Sequence, residues 1–241
     1  MRAADALERD LAGFVRDVQR TLGDGLVAIV LYGSATGADW VPGHSDVNTM
    51  LVVRAVSGAV LDGLAGMLGR WRRRGFALPL VVDEEFLERA RDVFPMELDD
   101  LRRAHRTLVG RDVLAEVVID RPCLRRECEH EARSKLLRLR ALYLDAAHEP
   151  ATLERLLVES FKSFMVILRH VLHLRGEDAP HAYDEVLTAG ERAVGPLPAF
   201  RRILAHRQGT SPLARSELGT EFARYLGDVE RIVAAVDTIH A

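Results

Sequence analysis

Two short runs of this chain carry the residue types that phosphate and metal chemistry need. Gly33 and Ser34 follow an apolar run, Leu26 to Tyr32, and Asp46 and Asn48 open a second one that ends at Val53. A glycine lets a phosphate approach the backbone closely, and a serine hydroxyl with neighbouring N–H groups can donate to its oxygens. A helix beginning at 35–39 would add its positive end to that pull. In an extended strand residues i and i+2 point to one face, so positions 46 and 48 present their oxygens side by side. Paired carboxylates in that arrangement hold magnesium, which takes hard oxygen ligands and is commonly shared with substrate phosphates. Two such ions about 3.5–4 Å apart can activate an acceptor oxygen and neutralise a leaving phosphate. Asn48 breaks the pattern, because its carbonyl oxygen is neutral and a dication gains far less from it than from a carboxylate.

Further residues extend the set. His44 and Ser45 precede Asp46 on the same loop and are candidates to contact nucleotide or phosphate, with His44 otherwise a plain loop residue, and Trp40 either stacks on a base or pins the loop. A third acid is sought in Val93 to Asp100, where Glu97 is expected as a metal ligand or general base. If Val93 to Leu98 is a strand that continues, Glu97 and Asp99 share a face, and one of them supplies the charge missing at Asn48. Lys162, one of two lysines in the chain with Lys135, sits among apolar residues and either reaches a triphosphate or carries its charge out to solvent.

The stretch 31–53 resembles the nucleotidyltransferase domains of the DNA polymerase β-like superfamily, in particular the bacterial aminoglycoside and minimal nucleotidyltransferases. The resemblance is specific over about 20 residues and looser over about 1–120. It implies that Gly33 and Ser34 contact a triphosphate and that Asp46 binds metal, with Asn48 at the place of the second acid and Glu97 as the third. The activity it implies is metal-dependent transfer of a nucleoside monophosphate from a nucleoside triphosphate, ATP foremost, to a hydroxyl of a small molecule or protein, with Mg2+ or Mn2+ as cofactor. The loss of charge at Asn48 leaves a second expectation open: an impaired nucleotidyltransferase that binds nucleotide or a partner, in the manner of an antitoxin. The second half resembles, in architecture only, the helical partners found behind such domains. Arg169 and His173 are spaced as Arg-x3-His, which does not meet the Arg-x4–6-His pattern of the ribonuclease members among them.

The elements that must position these residues can be read from periodicity. Leu7, Leu11, Phe14, Val15, Val18 and Leu22 repeat with helical spacing, and Gly23 and Gly25 stop that helix. Strands are expected over 26–32, 46–53, 78–82 and 93–98, with helices over 59–73 and 84–91, the latter capped by Asp83. Leu114 to Ile119 reads equally as a strand or a helix start. Beyond Pro122 the pattern is helical: 123–147, 151–175, 181–193, and a last helix whose stripe runs from Leu218 to Ile239. The expected fold is α+β, a nucleotidyltransferase-type mixed sheet flanked by helices over 1–120, followed by an all-α bundle over 121–241. The terminal stripe is available to its own bundle or to a second subunit, which would make a homodimer.

Composition bounds the partners. The 241 residues are 48% hydrophobic and carry a formal net charge of −3, with no basic track for a nucleic-acid backbone, so nucleic acid is not expected as a partner. Arg70, Arg72, Arg73 and Arg74 read as a solvated helix end, and Arg102, Arg103, His105 and Arg106 as a solvated turn or, in the alternative, a phosphate- or acceptor-facing patch. Cys123 and Cys128 make no disulfide framework and fit a reducing compartment. The charged N-terminus is not a signal peptide, and no stretch approaches the roughly 18 apolar residues of a membrane span. A bacterial cytoplasmic protein with no membrane partner is expected.

Overall fold

The computed structural model describes residues 3–37, 46–177, 179–180 and 182–239. His44, Ser45 and Trp40 lie outside the described residues. The chain forms two compact units, Met1–Asp120 and Arg121–Ala241.

In the first unit, α1 (Ala3–Leu22) leads through a short 3-10 turn into β1 (Leu26–Tyr32), and β2 (Asn48–Val53) returns antiparallel to it. Helix α2 (Gly58–Arg72) starts where the Ser57 side chain accepts from the Val60 N–H at 3.3 Å. β3 (Leu80–Asp83) lies parallel to β2, and the Asp83 carboxylate accepts from the Phe86 N–H at 2.8 Å to begin α3 (Glu84–Arg89). Then come α4 (Pro95–Arg103) and β4 (His105–Gly110), which pairs antiparallel with β1. The mixed sheet has the order β3-β2-β1-β4.

Period-two alternation divides the sheet residues between two cores. Ile29, Leu31 and Leu51 pack with Leu11, Phe14, Leu64, Leu68 and Trp71 from α1 and α2. Ala28, Val30, Met50 and Val52 face the other way, against Leu87, Leu98, Leu101, Val113, Leu114 and Val117. On the first side α1 and α2 close around Asp17, 5% exposed, which accepts from the Trp71 indole N–H at 2.9 Å and pairs with Arg20 and Arg70. Arg74 instead pairs with Asp10, so the arginine-rich end of α2 is partly engaged with α1.

Three expectations are corrected. Residues 93–98 are not a strand. Pro95 sits in the first turn of α4, where its missing N–H costs nothing, and Leu98 and Leu101 bury at helical spacing. The strand beside β1 is instead β4, at the positions read as a solvated turn. Its polar His105, Arg106 and Thr107 conceal a half-buried ladder. Leu114 to Ile119 is neither strand nor helix: residues 113–116 form a turn whose Val113, Leu114 and Val117 plug the second core.

The second unit contains α5 (Arg121–Ala146), α6 (Pro150–Leu174), α7 (Tyr183–Val194), α8 (Pro198–Arg207) and α9 (Leu218–Asp237). Helix α8 was not anticipated from the sequence. α6 packs on each of the other four, with Phe161, Phe164, Ile167, Leu168 and Val171 buried. The stripe on α9 turns inward: Leu218, Phe222, Tyr225, Val229, Ile232 and Val236 are buried, with Phe222 stacked on Tyr143 and Tyr225 against Phe200. Asp228 on α9 caps α8 from across the bundle, accepting from the Ala199 N–H at 2.8 Å and the Phe200 N–H at 3.3 Å. Both cysteines are buried and outside any disulfide, and burial pushes the Cys128 thiol up to about 12, which keeps it protonated and unreactive. Among the described residues no helix is long and apolar enough to cross a membrane.

Candidate functional site

The site is built at one end of the sheet, where β1 runs out. Tyr32 is extended, and the chain then tightens into a 3-10 turn, Gly33–Thr36. Gly33 has φ +75°, a backbone conformation that costs a residue with a Cβ about 1–2 kcal/mol. Its N–H donates to the Ala104 carbonyl at 3.0 Å, which ties the turn to the residue before β4. The Thr36 hydroxyl donates to the Gly33 carbonyl at 2.8 Å and the Gly37 N–H to the Ser34 carbonyl at 3.2 Å, while Ala35 is buried beneath. Ser34 is half-buried, and its hydroxyl has no hydrogen-bond partner among the described residues.

Asn48 closes on this turn. It is the first residue of β2 and half-buried, and a Cβ at position 33 would stand 3.4 Å from its Nδ2. The register sets Tyr32 opposite Asn48 on one side and opposite His105 on the other, so the three form a row across β2, β1 and β4. Burial pushes the Tyr32 phenol above its ordinary value and keeps it neutral. The His105 ring sits between two acceptors, with Nδ1 2.8 Å from the Arg102 carbonyl and Nε2 2.9 Å from Asp112. Burial disfavours the charged form of Asp112, but the Ala115 N–H and the His105 ring outweigh it and hold the carboxyl below its ordinary range.

The same face carries Ala28, Val30, Met50 and Val52 farther along β1 and β2. The pairing of Met50 with Leu80 and Val52 with Val82 puts those two residues of β3 there as well. No strand residue on this face is therefore acidic. Asp83 ends β3 on the alternate side and caps α3. Asp46 is exposed, two residues ahead of Asn48, and Val47 between them is buried and held by backbone bonds to Gly75 and Ala77.

The other expected residues are placed differently from a strand-based reading. Glu97 is exposed in the first turn of α4. Asp99, 1% exposed, points the other way and accepts from Arg102 at 3.2 Å and Arg103 at 2.8 Å. Residues two apart on a helix do not share a face, so the expected pairing of Glu97 with Asp99 does not form. Lys162 is exposed on α6 in the second unit. Sequence reasoning missed Tyr32, and it weighed His105 only as part of a solvated turn or a phosphate-facing patch. The sequence signal for Tyr32 was its adjacency to Gly33.

No protein-family model matches the sequence. No curated protein matches it either. Among solved structures the chain is similar to the spectinomycin adenyltransferase AAD(9) from Enterococcus faecialis, in a crystal structure with ATP and spectinomycin. The two share 13% identity with a TM-score of 0.57, over 92% of this chain and 99% of that one. The class is therefore defined at the level of fold: an α+β nucleotidyltransferase architecture with a helical second half.

Proposed function

We propose that the protein belongs to the nucleotidyltransferase superfamily and moves a nucleoside monophosphate from a nucleoside triphosphate, ATP foremost, to a hydroxyl on a small molecule or a protein. The observation that carries this reading is the approach of Asn48 to Gly33. It brings the phosphate-type turn next to the start of β2, two residues after Asp46. Gly33 gives a phosphate access to the backbone, and the Ser34 hydroxyl is available to donate to it. The Asp46 carboxylate and the Asn48 carbonyl are hard oxygen donors that fit magnesium arriving with the triphosphate, which when bound supplies positive charge beside the phosphates. The acceptor oxygen forms a bond to the α-phosphorus as the bond from that phosphorus to the β-phosphate oxygen breaks. Pyrophosphate leaves, and Glu97 takes the acceptor proton.

A second reading has its own support. The strands add no carboxylate to the face of Asn48, so one charged ligand stands where the superfamily pattern implies more. Such a site binds nucleotide with its magnesium and turns over slowly or not at all.

Pyrophosphate release, measured with each triphosphate and Mg2+ or Mn2+ over a panel of acceptors, separates the two. Turnover that falls to background in Asp46→Ala supports the enzyme. Silence with nucleotide-dependent thermal stabilisation supports the binder. Neither turnover nor stabilisation with any triphosphate would end both readings. Asn48→Asp should tighten Mn2+ binding at least about tenfold, or 1.4 kcal/mol, by titration calorimetry. Gained turnover in that variant marks a decayed site, whereas lost turnover marks Asn48 as functional.

A further inference from the structure

We propose that α5 carries a homodimerisation seam on which a second copy of the same helix packs antiparallel. One side of α5 is spoken for: Cys128, Ala132, Leu136, Leu139 and Ala146 are buried, and the helix packs on α6 and α9. The opposite side carries Ser134, Leu137, Ala141 and Leu144, spaced i, i+3, i+7 and i+10, so they fall on one stripe. Leu137 is 65% exposed and Leu144 81%, the highest exposure of any large apolar side chain among the described residues. A helix face that met only water would not gain from leucines there.

The charges beside the stripe indicate what covers it. On one flank Arg133 and Arg140 are used inside the unit, pairing with Asp237 and Glu230 of α9. On the other flank stand Arg138 and Asp145, seven residues apart, exposed and without an ion-pair partner among the described residues. Two helices packed antiparallel bring like flanks together, and a two-fold axis makes every contact occur twice. With Leu137 against Leu144 of a second copy, Arg138 meets Asp145 of that copy, and the reciprocal pair forms at the other end. A parallel pairing aligns each residue with its own copy and leaves these charges uncompensated. The stripe thus complements itself in one orientation, which favours a second copy over an unrelated partner. From Ser134 to Asp145 it is about 17 Å long at 1.5 Å per residue, short of a standard interface. The dimer is accordingly of moderate strength, with dissociation on the order of micromolar.

Sedimentation equilibrium of the full chain, from low to several hundred micromolar, is the test. The expected result is a reversible monomer–dimer equilibrium. Leu144→Glu should weaken it at least about tenfold while leaving the thermal melt unchanged, because the position is solvent-facing. Arg138→Asp and Asp145→Arg should each weaken self-association, since each puts like charges opposite one another. An equimolar mixture of those two variants should recover dimer, because both cross-pairs are again of opposite sign. A chain that stays monomeric throughout would overturn the proposal and leave the stripe to a different protein. So would a dimer indifferent to Leu144→Glu, or a mixture no better associated than its components.

Discussion

At Gly33 two demands meet on one residue, and they carry different energetic weights. The φ of +75° disfavours a side chain through the backbone, and the Asn48 amide 3.4 Å away disfavours it through space. A distance of 3.4 Å is ordinary contact, so the backbone term dominates. Gly33→Ala should therefore cost about 1–2 kcal/mol in urea unfolding, nearly all of it from φ. Ser34→Ala should leave stability within about 0.5 kcal/mol, because no described residue depends on its hydroxyl. The two variants then divide cleanly in a nucleotide titration. A loss of affinity in Ser34→Ala at unchanged stability reports a phosphate contact. Unchanged affinity there would remove Ser34 from the site and leave the phosphate to backbone donors alone.

Elements with one strong period are the ones legible in the sequence. The runs 26–32 and 50–53 are continuous and apolar because β1 and β2 are the inner strands, covered on both faces, and α1 and α9 show clear helical stripes. Their order puts the turn after β1 and the start of β2 at the same end of the sheet. The edge of the sheet was harder to read. β4 is half-exposed and led by His105-Arg106-Thr107, which has the composition of a turn. In 93–98, Phe94, Met96 and Leu98 alternate like a strand, but Pro95 and the burial of Leu98 with Leu101 make it a helix. The expectation that Glu97 and Asp99 share a face rested on that same misreading. Helix α8 was missed because its cap is not local: Leu197 offers no side-chain acceptor, and Asp228 reaches over from α9. That cap carries a pH signature. Burial, the largest influence, raises the Asp228 carboxyl above its ordinary value against the pull of the Phe200 and Ala199 N–H groups and Arg231. A carboxyl raised by folding binds its proton more tightly in the folded state. Its contribution is fullest below the ordinary aspartate range and is lost as pH rises through the raised value. Asp228→Asn keeps an acceptor for both N–H groups but does not titrate. The stability of the wild type minus that of Asp228→Asn, taken from thermal melts, should fall as pH rises from about 3.5 towards neutrality. A difference that rises or stays flat across that range would show that hydrogen bonding, not burial, governs the group.

For the molecule as a whole, the division at residue 120 can be tested as a statement about folding. Met1–Asp120 has a sheet with its own core on each side, and every residue of both cores falls within that unit. Arg121–Ala241 has α6 at its centre and a long-range cap, from Asp228 to α8, that closes inside it. Chains of about 120 residues bury roughly two thirds of their unfolded surface, which is enough for independent stability. The likeness to the adenyltransferase structure covers 92% of this chain and so spans both units, and it says nothing of whether each folds alone. We expect that 1–120 and 121–241, produced separately, each melt cooperatively, with mixed α/β and helical far-UV spectra respectively. Their unfolding in the intact chain should then resolve into two transitions in calorimetry, unless the units stabilise one another. A fragment that is unfolded on its own but folds when the other is added would make the pair a single folding unit. The site at Gly33 and Asn48 is assembled from elements of the first unit alone. Nucleotide binding by the 1–120 fragment would therefore place the phosphate site there independently of the helical half, and binding that needs the intact chain would assign part of it to 121–241.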